Sequence, residues 1–137
     1  MKRIFLSAVV LFFCSFLLKA QKDYKVVFDL TSGDSLSQQT AIRWATEVSK
    51  ADPNAQVEIV MFGKGLPLAV KDKSVMADAV TSLATNKNVS FKVCAVAMAN
   101  QKIDKSQLLP GVQTVPDGIY EIISKQREGW GYIKVSH

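Results

Sequence analysis

The chain has 137 residues, 48% of them hydrophobic and 21% charged, with a formal net charge of +5 at pH 7. That length supports one domain with one real core. Much of the excess charge sits near the N-terminus: beyond residues 1–20, which carry Lys2, Arg3 and Lys19, 14 basic side chains face 12 acidic ones, a balance of +2 with no run of Lys or Arg. Neither nucleic acid nor an anionic membrane surface is therefore implied as a partner.

Lys2 and Arg3 precede an apolar run from Ile4 to Leu18, and Leu18-Lys19-Ala20 leads into Gln21, the layout of a secretory signal peptide. The run is slightly short of the roughly 20 residues a spanning helix needs, which leaves an uncleaved anchor as the alternative. Cys14 lies inside the run after Leu11-Phe12-Phe13, without the small residues that precede a lipidated cysteine. The expectation is a signal peptide over residues 1–20 and a single α/β domain over 21–137, exported to the periplasm or secreted, without membrane contact after cleavage. Cys94 is the one cysteine of that domain, so its thiol is buried, reactive or paired with another molecule.

Tyr24 to Leu30 reads as the first strand, and Thr31-Ser32-Gly33-Asp34 as the turn after it. Ser35 and Gln38 have the spacing of a capping box. In the helix that follows, Ala41, Trp44, Ala45 and Val48 fall on one face, and Pro53 ends it. A second strand spans Gln56 to Phe62. The glycines of Gly63-Lys64-Gly65 serve a tight strand exit better than a phosphate cradle, because no helix with a Lys-Ser/Thr ending follows. Leu68 to Lys73 reads as a short helix or a loop over the sheet edge. Met76, Val80, Leu83 and Ala84 mark a second main helix ending near Asn86-Lys87-Asn88.

Val89, Phe91 and Val93 alternate with Ser90 and Lys92 and then merge into an apolar run, the pattern of a strand in the middle of a sheet, with Cys94 where it ends. Beyond it, Asp104 or Ser106 is placed to cap a short helix that Pro110-Gly111 terminates. Val112 to Val115 reads as a short strand. Pro116-Asp117-Gly118 opens a helix with Ile119, Ile122 and Ile123 inward and Glu121 paired with Lys125, and Trp130 to Val135 is the last strand. Such alternation predicts a mostly parallel five-stranded sheet with helices on both faces.

Ligands of open α/β sheets gather at the carboxyl ends of strands, so Cys94 is the candidate catalytic residue, and Asp29, Ser32, Gly63 and Asn100 are candidate binding residues on the same strand-end rim. A carrier cysteine must be a thiolate at working pH, and the usual devices are a helix N-terminus, a nearby cation and partial exposure. The segment after Cys94 is placed to begin a helix, and Lys64, Lys92 and Lys102 are the candidate cations. Against this stands the frequent burial of cysteine in apolar settings such as Val93 to Met98. Asp29 reads more readily as a residue bonding the next turn. His137, the single histidine, reads as a solvated tail residue, and Trp44, Trp130 and Tyr132 as core or subunit-contact aromatics. One histidine and one cysteine without a paired motif build no structural zinc site, no cofactor is implied, and no nucleophile elbow is present.

Cys94, Leu108-Leu109-Pro110-Gly111-Val112, Val115-Pro116, Gly118, Gln126 and Gly129-Trp130-Gly131-Tyr132-Ile133 together resemble the DsrE/DsrF-like (YchN-like) superfamily, and its exported members most closely. The likeness follows the element order of the whole domain and is specific from about Val89 to Lys134. Where exported relatives carry an Asn-Thr pair shortly after the cysteine, Val96-Ala97 stand here. The resemblance implies a three-layer, flavodoxin-like α/β/α fold, a homo-oligomer (trimer or hexamer), and a persulfide-carrying role for Cys94 with a sulfur donor or acceptor protein as partner. Two functions follow. One is an exported sulfur carrier or thiol-redox protein using the single cysteine as persulfide or mixed-disulfide acceptor. The other is a non-catalytic oligomeric binding or assembly module whose cysteine is buried and inert.

Overall fold

The computed structural model describes residues 23–136. The expected signal peptide, with Cys14, and His137 lie outside them. Five strands form one sheet: β1 (Lys25–Leu30), β2 (Gln56–Met61), β3 (Val89–Cys94), β4 (Val112–Val115) and β5 (Gly131–Lys134). Their order is β4-β3-β2-β1-β5 and all four pairings are parallel. The expected mostly parallel sheet is thus entirely parallel. Among the described residues no helix is long and apolar enough to cross a membrane.

Side-chain alternation divides the sheet into two unequal faces. Val26, Phe28 and Leu30 of β1, Val57, Ile59 and Met61 of β2, and Val89, Phe91 and Val93 of β3 build the larger core. It is closed by α1 (Ser35–Ala51) and α2 (Ala77–Leu83). Ala41 and Ala45 are fully buried, so the helix axis comes close to the sheet, and Trp44 packs on Phe28 with ring centroids 5.9 Å apart. Val80 is the buried residue of α2, and Met76, Leu83 and Ala84 pack partly buried beside it, as their spacing predicts.

The cap of α1 differs from the expected box. Asp34, one residue before Ser35, is the N-cap, and its Oδ1 accepts from the Ser37 amide at 2.8 Å. Gln38 is buried in the core side of the helix and does not reach back to the cap. A carboxylate at this position both satisfies a free amide and faces the positive end of the helix.

After β2 the chain enters a 3-10 segment (Gly63–Ala69), then Val70 bridges antiparallel to Leu108 and residues 71–73 form a turn, so the stretch from Leu68 to Lys73 ends a short helix and continues as a loop. Gly63 takes φ +54°, and a Cβ on Gly65 would lie 2.1 Å from the Leu30 carbonyl oxygen. Both glycines serve the strand exit. A short helix, α3 (Ala95–Asn100), follows β3 without a loop, and Asp104 with Gln107 caps a 3-10 turn (Lys105–Gln107).

The second face carries Val27, Asp29, Glu58, Val60, Ser90, Lys92 and Cys94, and is crossed by α4 (Gly118–Arg127). Asp117 caps α4, its Oδ1 accepting from the Ile119 and Tyr120 amides at 2.8 and 3.0 Å. Of the three isoleucines expected inward, only Ile122 is buried, against Val27 and Val60; Ile119 is 58% and Ile123 40% exposed. The reason is rotational. Gly118, Ile122 and Lys125 face the sheet, because Gly118 must dock on Cys94 and Lys125 must reach Glu58, and this turns positions 119 and 123 outward. The expected Glu121–Lys125 pair is present at 3.7 Å.

Candidate functional site

Cys94 ends β3 and immediately precedes α3, so its position is set by two elements at once. It is a free thiol, 5% exposed, and part of the larger apolar cluster. Beside it opens a cavity of about 330 Å³. Phe62 and Gly63 at the exit of β2, Val96, Ala97, Asn100 and Gln101 of and just after α3, and Asp117 and Ile119 at the start of α4 complete its lining.

Close packing defines the inner wall. A Cβ built on Gly118 would lie 3.2 Å from Cys94 Cβ, 3.2 Å from Phe62 Cδ1 and 3.3 Å from Val60 Cγ1. The absence of a side chain at position 118 is what lets α4 reach the cysteine. Gln101 Nε2 donates to the Gly63 carbonyl at 2.5 Å, tying α3 to the β2 exit across the cavity. The rim is apolar, with Val96 and Ile119 more than half exposed.

Asp117 is the one acidic residue of the lining, which contains no Lys, Arg or His. None of the three expected cations lines it, and Lys92 instead donates to Gln113 Oε1. Chemically, the arrangement offers a largely buried thiol beside a mostly apolar recess, with the Asp117 carboxyl group and the side-chain amides of Asn100 and Gln101 as its polar components.

Of the candidate binding residues, Gly63 and Asn100 line the cavity with Cys94. Asp29 and Ser32 do not. Asp29 is buried on β1, where its Oδ2 accepts from the Tyr132 hydroxyl at 2.7 Å and lies 3.4 Å from Lys134 Nζ. This bond pushes the Tyr132 hydroxyl up to about 12, helped by burial and the Asp29 charge. Ser32 donates to the Asp34 carboxylate in the turn before α1. The separation follows from strand order: β2 stands between β1 and β3, so strand ends at one rim need not share one pocket. Phe62, Gln101, Asp117 and Ile119 were not foreseen as site residues. The signal available for Asp117 is its place in Pro116-Asp117-Gly118, directly after the carboxyl end of β4.

The sequence pattern of the DsrE/DsrF-like family matches residues 25–135. The chain belongs to the DsrE/DsrF-like family. Three solved structures share the fold. A protein of unknown function, MTH1491, from Methanobacterium thermoautotrophicum is 28% identical, with a TM-score of 0.77 over 82% of this chain and 99% of that one. The YchN protein of E. coli is 14% identical, with a TM-score of 0.68 over 82% of this chain and 98% of its own. BT1422, a conserved protein of unknown function from Bacteroides thetaiotaomicron, is 14% identical, with a TM-score of 0.64 over 81% and 94% of the two chains. No curated protein sequence matches the chain. The five-stranded parallel α/β fold is thus that of the DsrE-like proteins, and membership suggests a sulfur-transfer or redox role at the level of the family.

Proposed function

We propose that this DsrE-like protein is an exported sulfur carrier or thiol-redox protein in which Cys94 is the acceptor. The supporting observation is the position of Cys94 at the carboxyl end of a central strand, beside a recess large enough for the end of a donor chain. In the sulfur-transfer form, the Cys94 thiolate attacks the outer sulfur of a donor persulfide. A new S–S bond forms at Cys94 Sγ as the donor's S–S bond breaks, and the donor leaves as a thiolate that takes up a proton. Cys94 is left as a persulfide, with no net oxidation. With a disulfide donor, the same attack leaves a mixed disulfide and one released thiol. The partner is a sulfur donor or acceptor protein, which the apolar rim of Val96 and Ile119 suits.

Burial of Cys94 to 5% exposure favours a second reading, an oligomeric binding or assembly module with an inert cysteine. In either case the outward isoleucines of α4 and the neighbouring Tyr120, 65% exposed, support a homo-oligomer, trimer or hexamer. One measurement tests the proposal: the mass of the protein recovered from cells, before and after treatment with a persulfide donor, beside Cys94→Ser. The expected outcome is a chain beginning at Gln21, a native mass of three or six subunits, and a reducible gain of one sulfur atom only where Cys94 is present. Equal gain in Cys94→Ser, or a thiol that labels only on unfolding, would end the carrier reading. A native monomer or an uncleaved chain would end the corresponding part.

A further inference from the structure

Glu58 lies in the middle of β2 on the face crossed by α4, and is 2% exposed. From α4, Lys125 Nζ stands 3.7 Å from Glu58 Oε2, 3.7 Å from Glu121 Oε1 and 3.9 Å from Glu128 Oε2. From β3, the Ser90 hydroxyl donates to Glu58 Oε2 at 3.1 Å, and Lys92 is engaged with Gln113. From β1, Val27 stands directly across, with Lys25 and Asp29 two positions to either side; beyond it on β5 the Tyr132 hydroxyl is committed to Asp29.

A single ammonium therefore serves three carboxyl groups, and Glu58 Oε1 is buried without a hydrogen-bond partner. Glu121 and Glu58 both lie 3.7 Å from the same Lys125 Nζ, which brings the two carboxyl groups together beneath α4. Two ionised carboxylates repel each other, whereas one proton between them turns the contact into a hydrogen bond. That proton would satisfy a group that the folded chain otherwise leaves orphaned.

The same helix that covers Glu58 forms one wall of the thiol cavity. Asp117 and Ile119, at its start, line the cavity, Gly118 abuts Cys94, and Ile122 holds the middle of the helix against Val27 and Val60. We propose that a proton on Glu58 seats α4 against the sheet, and that its loss loosens the helix and opens the Cys94 recess, so that access to the thiol is gated by pH. Burial, countered by Lys125 and reinforced by Glu121, pushes Glu58 up to about 7, which puts the transition around neutrality. The gate concerns access to Cys94 and stands whether the thiol carries sulfur or not.

Trp130 supplies a readout that does not involve the cysteine, because Lys125 Nζ, which contacts Glu58, lies 4.8 Å from its ring centroid. In the full chain carrying Trp44→Phe, Trp130 fluorescence should show a transition near neutral pH that Glu58→Gln abolishes and Glu121→Gln moves to lower pH. Amides of residues 118–127, corrected for intrinsic exchange, should lose protection several-fold between about pH 6 and about pH 8 in the wild type and not in Glu58→Gln. The ratio of wild-type to Glu58→Gln labelling rates at Cys94 should rise over the same interval. A transition that survives both carboxyl substitutions overturns the proposal. So does a Trp130 transition unaccompanied by any change in helix protection or labelling ratio. Should Glu58→Gln fail to fold, the downward shift in Glu121→Gln, whose side chain is partly exposed, carries the test alone.

Discussion

At the scale of single residues, Cys94 illustrates how one side chain draws its meaning from several neighbours. Its place at a strand end is local, set by the alternation of Val89, Phe91 and Val93. Its environment is not, because Phe62, Gly118 and Asp117 come from three other stretches of chain. Gly118 is the residue on which this meeting depends. In Gly118→Ala the new methyl group meets Cys94 Cβ, which cannot rotate away, so α4 must shift. A helix gains intrinsically from the exchange by up to about 1 kcal/mol, but overpacking of a filled interior costs about 1–3 kcal/mol. The expected net result is a lower denaturation midpoint, measured in urea, together with a changed labelling rate at Cys94. An unchanged midpoint would mean that α4 rides less tightly on β3 than the contact distances imply.

At the scale of elements, the periodicity of apolar residues placed every strand, and the two main helices with their inner faces were legible wherever the apolar stripe was unambiguous. The differences arose where polar chemistry competes. Both Ser35 and Asp34 are good N-cap residues, and the choice fell to Asp34 because Gln38, the other half of the anticipated box, is drawn into the core. Asp34→Ala should therefore destabilise the protein by about 1 kcal/mol, while Ser35→Ala leaves the thermal midpoint nearly unchanged. The reverse ranking would restore the cap at Ser35. In α4, the spacing of Ile119, Ile122 and Ile123 puts them on one helix face, and hydrophobicity alone does not say how far that face is turned from the sheet. Gly118 and Lys125 decide it, one by its lack of a side chain and the other by reaching the buried Glu58 carboxyl group.

At the scale of the whole molecule, the two faces of the sheet differ in kind. One is a thick apolar core under α1 and α2, whereas the other is polar at its centre and carries one helix. A buried carboxyl on the second face makes stability depend on pH. Glu58 is pushed up from 4.5 to about 7, chiefly by burial. The folded chain thus retains a proton that the unfolded chain releases, so the contribution is full below about 4.5 and is lost as pH rises to about 7. Relative to Glu58→Gln, the wild type should lose stability across that interval in denaturation measured at a series of pH values. Parallel behaviour of the two proteins would place the titrating group elsewhere.

By itself the sequence determined the number of strands, their extents to within a residue or two, the parallel α/β class, the family likeness and the prominence of Cys94. These follow from local periodicity, turn residues and a motif-bearing C-terminal half, all of which are readable along one dimension. Strand order, and with it the company Cys94 keeps, was decided only by the tertiary structure. Gly63 and Asn100 joined the cavity because their segments flank β3, while Asp29 and Ser32 fell outside it because β2 lies between. Likewise, nothing along the chain relates Glu58 to Lys125, 67 positions apart, until α4 is laid across the sheet. Alternation tells which face of a strand a residue occupies, but what covers that face is a property of the packed whole, set by close approach and by the partners that buried polar groups find.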